Sequence, residues 1–412
     1  MVELRSYADI PRLSGGELKI TDCTVRDGAQ MPGVVMTSED KVKIYDFLHK
    51  IGVDKIECFL HNERDRKATE EMLKKGYDKP EVTAWSRAKK EDVDLVLNFD
   101  EIQETGMLMS VSDVHLFDKI RFKSREDAMN SYLEAFEYAA DHGLKIRIHL
   151  EDVTRANFDE FVIPLVKETL RISKDTIYRI CDTLGFGLPY ESSPLPFGIP
   201  RMVSLFKELG ARNIEMHMHD DFGLSVANSI AGYLSGANWI SGTLFGVGER
   251  AGNAPLEEIL LILATRFEGF EDRYELRHIA EAKKFFEESL GIQIPKNKTA
   301  VGENIFSHES GIHAAGVIRN PFTYEPFPPE LLGMKRRLLI GPTSGSEVVR
   351  YRVEEVLREM NGNGSHLKLT KDHPLVKKVF DEINRMYDAG RRTIISDEEL
   401  REIVKKHLGE VA

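Results

Sequence analysis

The stretch ITDCTVRDGAQ, residues 20–30, begins as an apolar strand and then sets Asp22, Arg26, Asp27 and Gln30 close together. Far downstream, EMHMHDDFG places His217 and His219 two residues apart. In a strand, the period of two sends these histidines to one face and Met216 and Met218 to the other. Two imidazoles on one face can chelate a divalent ion, and a carboxylate such as Asp27 would complete three protein ligands while leaving positions open for substrate. An open ligand set of this kind suits catalysis better than structure. A lone His-x-His describes packed or surface histidines as readily, and an Arg-Asp pair after a strand is an ordinary solvated turn. What raises both above that reading is their shared context at strand ends.

A third polar group lies in IRIHLED, where alternation gives Arg147, His149 and Glu151 one face. An interior ion pair is the expected role of Arg147. Glu151, nearest the strand end, is the candidate for acid or base chemistry. In GVGERAGN the glycines are read as tight-turn residues. Asn253 sits either beside the metal or as the cap of a helix starting at Pro255, with capping the default.

Positioning such groups requires regular elements, and the chain supplies a repeating one. Thr37 and Asp40 form a capping box, Ile44, Phe47, Leu48 and Ile51 form an apolar stripe, and Gly52 ends the helix before a short strand. The same helix, glycine and strand order recurs in HGLKIRIHLED, LGARNIEMHMH and SGANWISGTLF. Candidate strands fall near Leu18–Thr21, Lys55–Leu60, Glu81–Trp85, Gly106–Ser110, Lys145–Leu150, Ile177–Ile180, Ile214–His217 and Trp239–Leu244. Strands alternating with helices in this number predict an α/β chain with a (β/α)8 TIM barrel. An open doubly wound sheet fits the rhythm too, but no early strand is followed by a glycine-rich phosphate loop. In a barrel the active site forms at the strands' C-terminal ends, where the polar residues gather here.

The domain expectation is a catalytic barrel over 1–270, a linker subdomain over 271–362 and a helical tail over 363–412, making a smaller, mainly helical C-terminal region. A helical stretch is expected from Tyr274 to Leu290, then a loop-rich segment, a Gly-rich break at NGNGSH, and a polar helical tail over Pro374–Leu408 for docking or dimerisation. The 42% hydrophobic and 30% charged residues describe a globular chain, without the ~18 consecutive apolar residues of a membrane span. The charge of −12 argues against a nucleic-acid surface, so an anionic ligand must be met locally by a metal or a few arginines. The charged start, MVELRSYADIPRL, lacks the apolar core of a signal peptide, and Cys23, Cys58 and Cys181 lack metal or disulfide spacing. Cytoplasmic localisation is expected.

Six motifs in order, TDCTVRDGAQMPG, HLEDVTRAN, CDTLGFGLP, EMHMHDDFG, GERAGNAPLE and HESGIHAAG, resemble the metal-dependent acyl-CoA condensing enzymes that include 2-isopropylmalate, homocitrate and citramalate synthases. YDKPEVTAWSRA and SVSDVHLF are most similar to the Re-face citrate synthase branch. The resemblance implies a divalent ion, Mn²⁺, Zn²⁺ or Mg²⁺, on Asp27, His217 and His219, with Asn253 nearby or as a fourth ligand. It implies that Arg26 faces the keto oxygen, that Glu151 is catalytic, and that Gln30, His115 and Thr183 line a 2-oxo acid pocket. His313 then belongs to the acetyl-CoA side, supplied by either subunit of a homodimer. Two positions depart from the family pattern: Ala29 replaces the usual acidic residue before Gln30, and GPTSG, residues 341–345, replaces the usual Gly-Lys-His-Ser-Gly.

The implied activity is that of an acetyl-CoA-dependent acyltransferase condensing acetyl-CoA with a 2-oxo acid, followed by thioester hydrolysis. Oxaloacetate is the first expected acceptor, then 2-oxoglutarate, 2-oxoisovalerate and pyruvate. Glu151 and His313 are both candidates for the base. No nucleic-acid or membrane partner is expected. Two other readings compete: a related acyl-CoA lyase, which would carry a cysteine where this chain reads GVGERAGN, and a metal-binding barrel without catalysis.

Overall fold

The computed structural model describes residues 4–361 and 368–411. Two compact units emerge, one of residues 12–294 and one joining residues 1–11 to 295–412. In the first, eight parallel strands close into a barrel in sequential order: β1 (Lys19–Asp22), β2 (Lys55–Phe59), β3 (Glu81–Arg87), β4 (Glu104–Ser110), β5 (Lys145–Glu151), β6 (Ile177–Asp182), β7 (Asn213–Met218) and β8 (Trp239–Gly242). The helices between and after them are α1 (Ser38–Ile51), α2 (Glu63–Lys74), α3 (Lys90–Leu97), α4 (Arg125–Asp141), α5 (Ile163–Ile172), α6 (Ile199–Glu208), α7 (Ser225–Leu234), α8 (Leu256–Arg266) and α9 (Ile279–Glu288). Closure is direct, with Thr21 of β1 in register with Ser241 of β8.

The local signals act as their chemistry requires. Thr37 accepts from the backbone N–H of Asp40 and Asp40 returns the bond, so the first turn of α1 satisfies its own donors. Gly52 ends α1 at φ 90°, a left-handed conformation that a side chain would strain. Outward residues of the strands, including Ile20, Ile56, Met107, Ile148, Ile180 and Met216, are fully buried against the helices. The expected Tyr274–Leu290 helix is shorter, because Arg273 and Tyr274 are drawn to Asp54, and the Tyr274 hydroxyl lies 3.4 Å from its carboxylate.

The inward face departs from the usual barrel filling of branched apolar side chains. Arg147, Arg179, Glu57 and Glu215 are each fully buried there. An ion-pair chain runs from Lys55 to Glu104 (2.5 Å), to Arg147 (2.9 Å), to Glu215 (2.8 Å), to Arg179 (2.7 Å), to Glu57 (2.9 Å) and to Arg26 (2.7 Å). Such charges tolerate burial only when paired. The interior ion pair expected for Arg147 is therefore one link of a longer series. Gly106 of β4 makes room for it: a Cβ there would meet His149 Nε2 at 2.5 Å and Glu57 Oε2 at 2.8 Å.

In the second unit α10 (Gly311–Arg319), α11 (Ser346–Asn361), α12 (Pro374–Asp388) and α13 (Asp397–Val411) surround a core that includes Val348, Val353, Val379, Ile383 and Val404. A short parallel pair, β9 (Ser307–His308) and β10 (Arg337–Leu338), completes it. The expected helical tail is formed by two helices. Gly390, at φ 97°, follows α12, and Ile395 then pairs with Ile340. The expected Gly-rich break at NGNGSH falls largely outside the described residues. Near the chain start, Tyr7 packs on Phe322 and reaches Glu325, a contact the sequence does not announce. Among the described residues no helix is long and apolar enough to cross a membrane.

Candidate metal centre and barrel mouth

Asp27 enters the site from the turn after β1, whose backbone folds back so that the N–H groups of Arg26, Asp27 and Gly28 all meet Cys23 O. His217 and His219 arrive from β7 and its exit. The ligand atoms of Asp27, His217 and His219 all lie within 4.8 Å of one another, and all three residues are buried. Asp27 Oδ2 lies 3.1 Å from His217 Nε2 and 3.9 Å from His219 Nε2. One cation with bonds of about 2.0–2.2 Å spans such gaps.

The proton inventory strengthens the fit. His217 Nδ1 lies 2.9 Å from Ser241 Oγ, and that hydroxyl donates to Met216 O at 3.1 Å. The serine oxygen therefore accepts, Nδ1 carries the hydrogen, and a neutral His217 turns the bare lone pair of Nε2 toward Asp27 Oδ2. Burial pushes His217 below its ordinary pKa despite Asp27, and pushes His219 down to about 4. Burial would raise Asp27, but Arg26 and the histidines hold it well below the usual carboxylate range. Lone pairs facing one another across a buried site call for a cation between them.

Asn253 belongs here and does not cap α8, whose N-cap is Pro255. An isolated antiparallel bridge sets Asn253 beside His219, and Asn253 Nδ2 donates to Asp27 Oδ2 at 2.8 Å. Its Oδ1, like His219 Nδ1, is buried without a hydrogen-bond partner, which suits it to a cation. The glycine loop is shaped by close approach as much as by turning. A Cβ on Gly248 would meet Asn253 Oδ1 at 2.1 Å, and one on Gly252 would meet Gly246 O at 1.9 Å.

Arg26 is buried, with Nε donating to Glu57 Oε1 at 2.7 Å and one terminal nitrogen 3.5 Å from Asp27. Burial opposes its charge, but Glu57 and Asp27 outweigh that and raise its pKa. Its other terminal nitrogen is buried without a partner, a donor free for an incoming oxygen.

Glu151 ends β5, opposite β1 in the closed order, on the same pleat face as Arg147 and His149. Ser110 Oγ donates to its Oε2, His115 Nδ1 lies 3.1 Å from that oxygen, and Lys119 Nζ donates to Oε1 at 2.6 Å. Burial alone would raise Glu151, yet these partners bring its pKa down to about 2. Thr183 Oγ1 accepts from the Asp152 N–H at 2.8 Å, and Arg250 donates to Thr183 O. Gln30 is exposed beside Arg26 on a cavity of about 290 Å³ that Ala29 also lines. His313 lies in the other unit, exposed on α10, its ring 4.2 Å from that of Tyr324.

Sequence reasoning missed Glu57, Arg179, Glu215, Ser110, Lys119 and Ser241. A signal was present for five of them: Glu57, Ser110, Arg179, Glu215 and Ser241 share the inward parity of their strands, the parity that in β7 also carries His217. Lys119 touches the site through a contact with no sequence periodicity.

Comparison with known proteins places these features in context. Residues 17–286 match the family model described as HMGL-like, and residues 300–391 match that described as homocitrate synthase post-HMGL domain-like. The chain is 35% identical to a citrate (Re)-synthase of Clostridium kluyveri, over 95% of this chain and 88% of that one. It is 38% identical to a probable 2-isopropylmalate synthase of Ignicoccus hospitalis, over 96% and 93%, and 33% identical to a homocitrate synthase of Methanothermobacter thermautotrophicus, over 96% and 95%. Among solved structures, a Bacillus subtilis HMG-CoA lyase aligns with a TM-score of 0.56 at 22% identity, over 69% of this chain and 97% of that one, which is a likeness of fold. The chain's cysteines, Cys23, Cys58 and Cys181, are all buried and none lies in the glycine loop.

Proposed function

The chain belongs to the HMGL-like family of acetyl-CoA-dependent condensing synthases, and from that premise we propose that its acceptor is a 2-oxo acid bearing a second carboxylate, oxaloacetate first, with citrate as product. It is an acetyl-CoA-dependent acyltransferase. The observation that carries the acceptor choice is the 35% identity to a citrate (Re)-synthase over 95% of this chain, together with a mouth lined by the polar Ser110, His115 and Thr183. An isopropyl group would strip such polar groups of water with nothing in return.

In this reading Asp27, His217 and His219 hold a divalent ion, with Asn253 Oδ1 beside it. When bound, the ion supplies Lewis-acid polarisation of the keto group. The free terminal nitrogen of Arg26 donates to the oxygen as it gains charge, a contribution of about 3–4 kcal/mol for a preorganised donor. Glu57 fixes the direction of that donor through Nε. Gln30, His115 and Thr183 hold the acceptor. Glu151, ionised at the mouth, takes a methyl proton from acetyl-CoA, while His313 serves the thioester side from the partner subunit of a homodimer. The new C–C bond turns the keto group into a hydroxyl, and water then cleaves the thioester to a carboxylate and free CoA thiol. The ion is proposed as Mn²⁺, Zn²⁺ or Mg²⁺ and the location as cytoplasmic.

Thiol release from acetyl-CoA by Mn²⁺-loaded protein, measured against oxaloacetate, 2-oxoglutarate, 2-oxoisovalerate and pyruvate with an EDTA-treated control, tests the proposal. Preferential release with oxaloacetate, abolished by EDTA, is the expected result. Preference for 2-oxoisovalerate or pyruvate would reject a dicarboxylic acceptor.

A further inference from the structure

Glu151 has an uneven set of partners. Ser110 and His115 both meet Oε2, whereas Oε1 meets Lys119 alone. A carboxylate oxygen offers two lone-pair positions, so Oε2 is filled and Oε1 keeps one position open. His115 and Lys119 both come from one π-helical segment, Val114–Ile120, so a single stretch of backbone delivers both contacts. Such π-turns are rare and occur frequently at functional sites.

The pair is also unlike an ordinary surface ion pair, which joins two solvated groups and contributes little. The Lys119 side chain is 49% exposed and that of Glu151 is 16% exposed. The lysine therefore reaches in from solvent to a carboxylate that shares its pleat face with the buried Arg147 and His149. Ser110 and His115 would hold Oε2 in place without it, but nothing else among the described residues fixes Oε1.

Resting on the reading that Glu151 accepts the methyl proton, we propose that Lys119 is a positioning residue, anchoring Oε1 so that its open lone pair is presented to the methyl group of the thioester. In that step the methyl C–H bond breaks, its electron pair becomes that of the enolate, and the proton moves to Oε1 beside the lysine. Lys119 touches neither substrate. It sets the plane of the carboxylate and, through its charge, the pH at which the base is lost.

Lys119→Met and Lys119→Arg test this on the full-length, metal-loaded protein. With Lys119→Met, kcat falls about 10- to 100-fold, part of the ~10²–10⁴ that a positioned base contributes, while KM for the 2-oxo acid changes little. Metal content stays constant, and Lys119→Arg restores most of the lost kcat. Unchanged kcat overturns the proposal, as does a raised KM with kcat preserved, which would make the lysine a substrate anchor. A second readout needs no turnover: the ¹³C titration of the Glu151 carboxyl should shift to higher pH in Lys119→Met and return in Lys119→Arg. An unmoved midpoint overturns the proposal. A shifted midpoint in a protein that releases no thiol with any 2-oxo acid supports the anchoring and counts against the condensing reading instead.

Discussion

His217 Nδ1 and Ser241 Oγ lie 2.9 Å apart across β7 and β8, and the hydroxyl's own hydrogen is committed to Met216 O. A serine on a neighbouring strand thereby selects the tautomer of a histidine, leaving Nε2 as the nitrogen that can bind an ion.

Ser241→Ala should weaken divalent-metal affinity about 10- to 100-fold, the usual cost of losing such a partner, with the fold retained. His219→Ala should lower bound metal and turnover together. Metal content by elemental analysis after dialysis against graded chelator checks both. Full retention of metal in His219→Ala would remove that residue from the ligand set.

Arg26→Lys should leave metal content intact and lower kcat about 10²–10³-fold, the scale of losing one preorganised donor. An ammonium lacks the planar fork that lets Arg26 bind Glu57 through Nε and keep a terminal nitrogen free. Steady-state kinetics beside metal analysis separate the two effects. Unimpaired turnover would refute the role given to this arginine.

Gly106→Ala should destabilise the barrel by about 1–3 kcal/mol, because the new methyl must displace His149 and Glu57 from within the ion-pair chain. Since Glu57 also orients Arg26, kcat should fall as well. Urea unfolding compared with wild type gives the first quantity. A midpoint equal to that of wild type would mean the interior has slack that the structure does not show.

Asp22 offers a pH test. Burial raises its pKa to about 7, although Thr24 donates to it from both hydroxyl (2.6 Å) and backbone N–H (2.8 Å). A folded pKa above the unfolded value of about 3.9 means the folded protein binds the extra proton. The contribution is fully present below about pH 4 and is lost as pH rises through about 7. Asp22→Asn should therefore gain on wild type in urea stability as pH rises across that window. Parallel pH dependences for the two proteins would contradict the raised pKa.

The division between what the chain announces and what folding adds follows from the range of the interactions. Periodicity, caps and glycines are local, so the eight strands, the capping box at Thr37 and the stop at Gly52 were legible, with boundaries off by a residue or two. The parity of His217 and His219 was legible for the same reason, and motif order carried the family. Partner choice is not local. Which strand neighbours which decided that Ser241 would set the tautomer of His217, that Asn253, placed near the metal by the motif resemblance, would donate to Asp27, and that Lys119 would reach Glu151. The two-helix tail and the contact of Tyr7 with Phe322 were settled by packing between distant segments. The sequence by itself determined a barrel with ligand-type residues at its strand ends. Only the tertiary structure decided which lone pairs and donors are left free there, because that depends on the partners each group finds across the closed sheet.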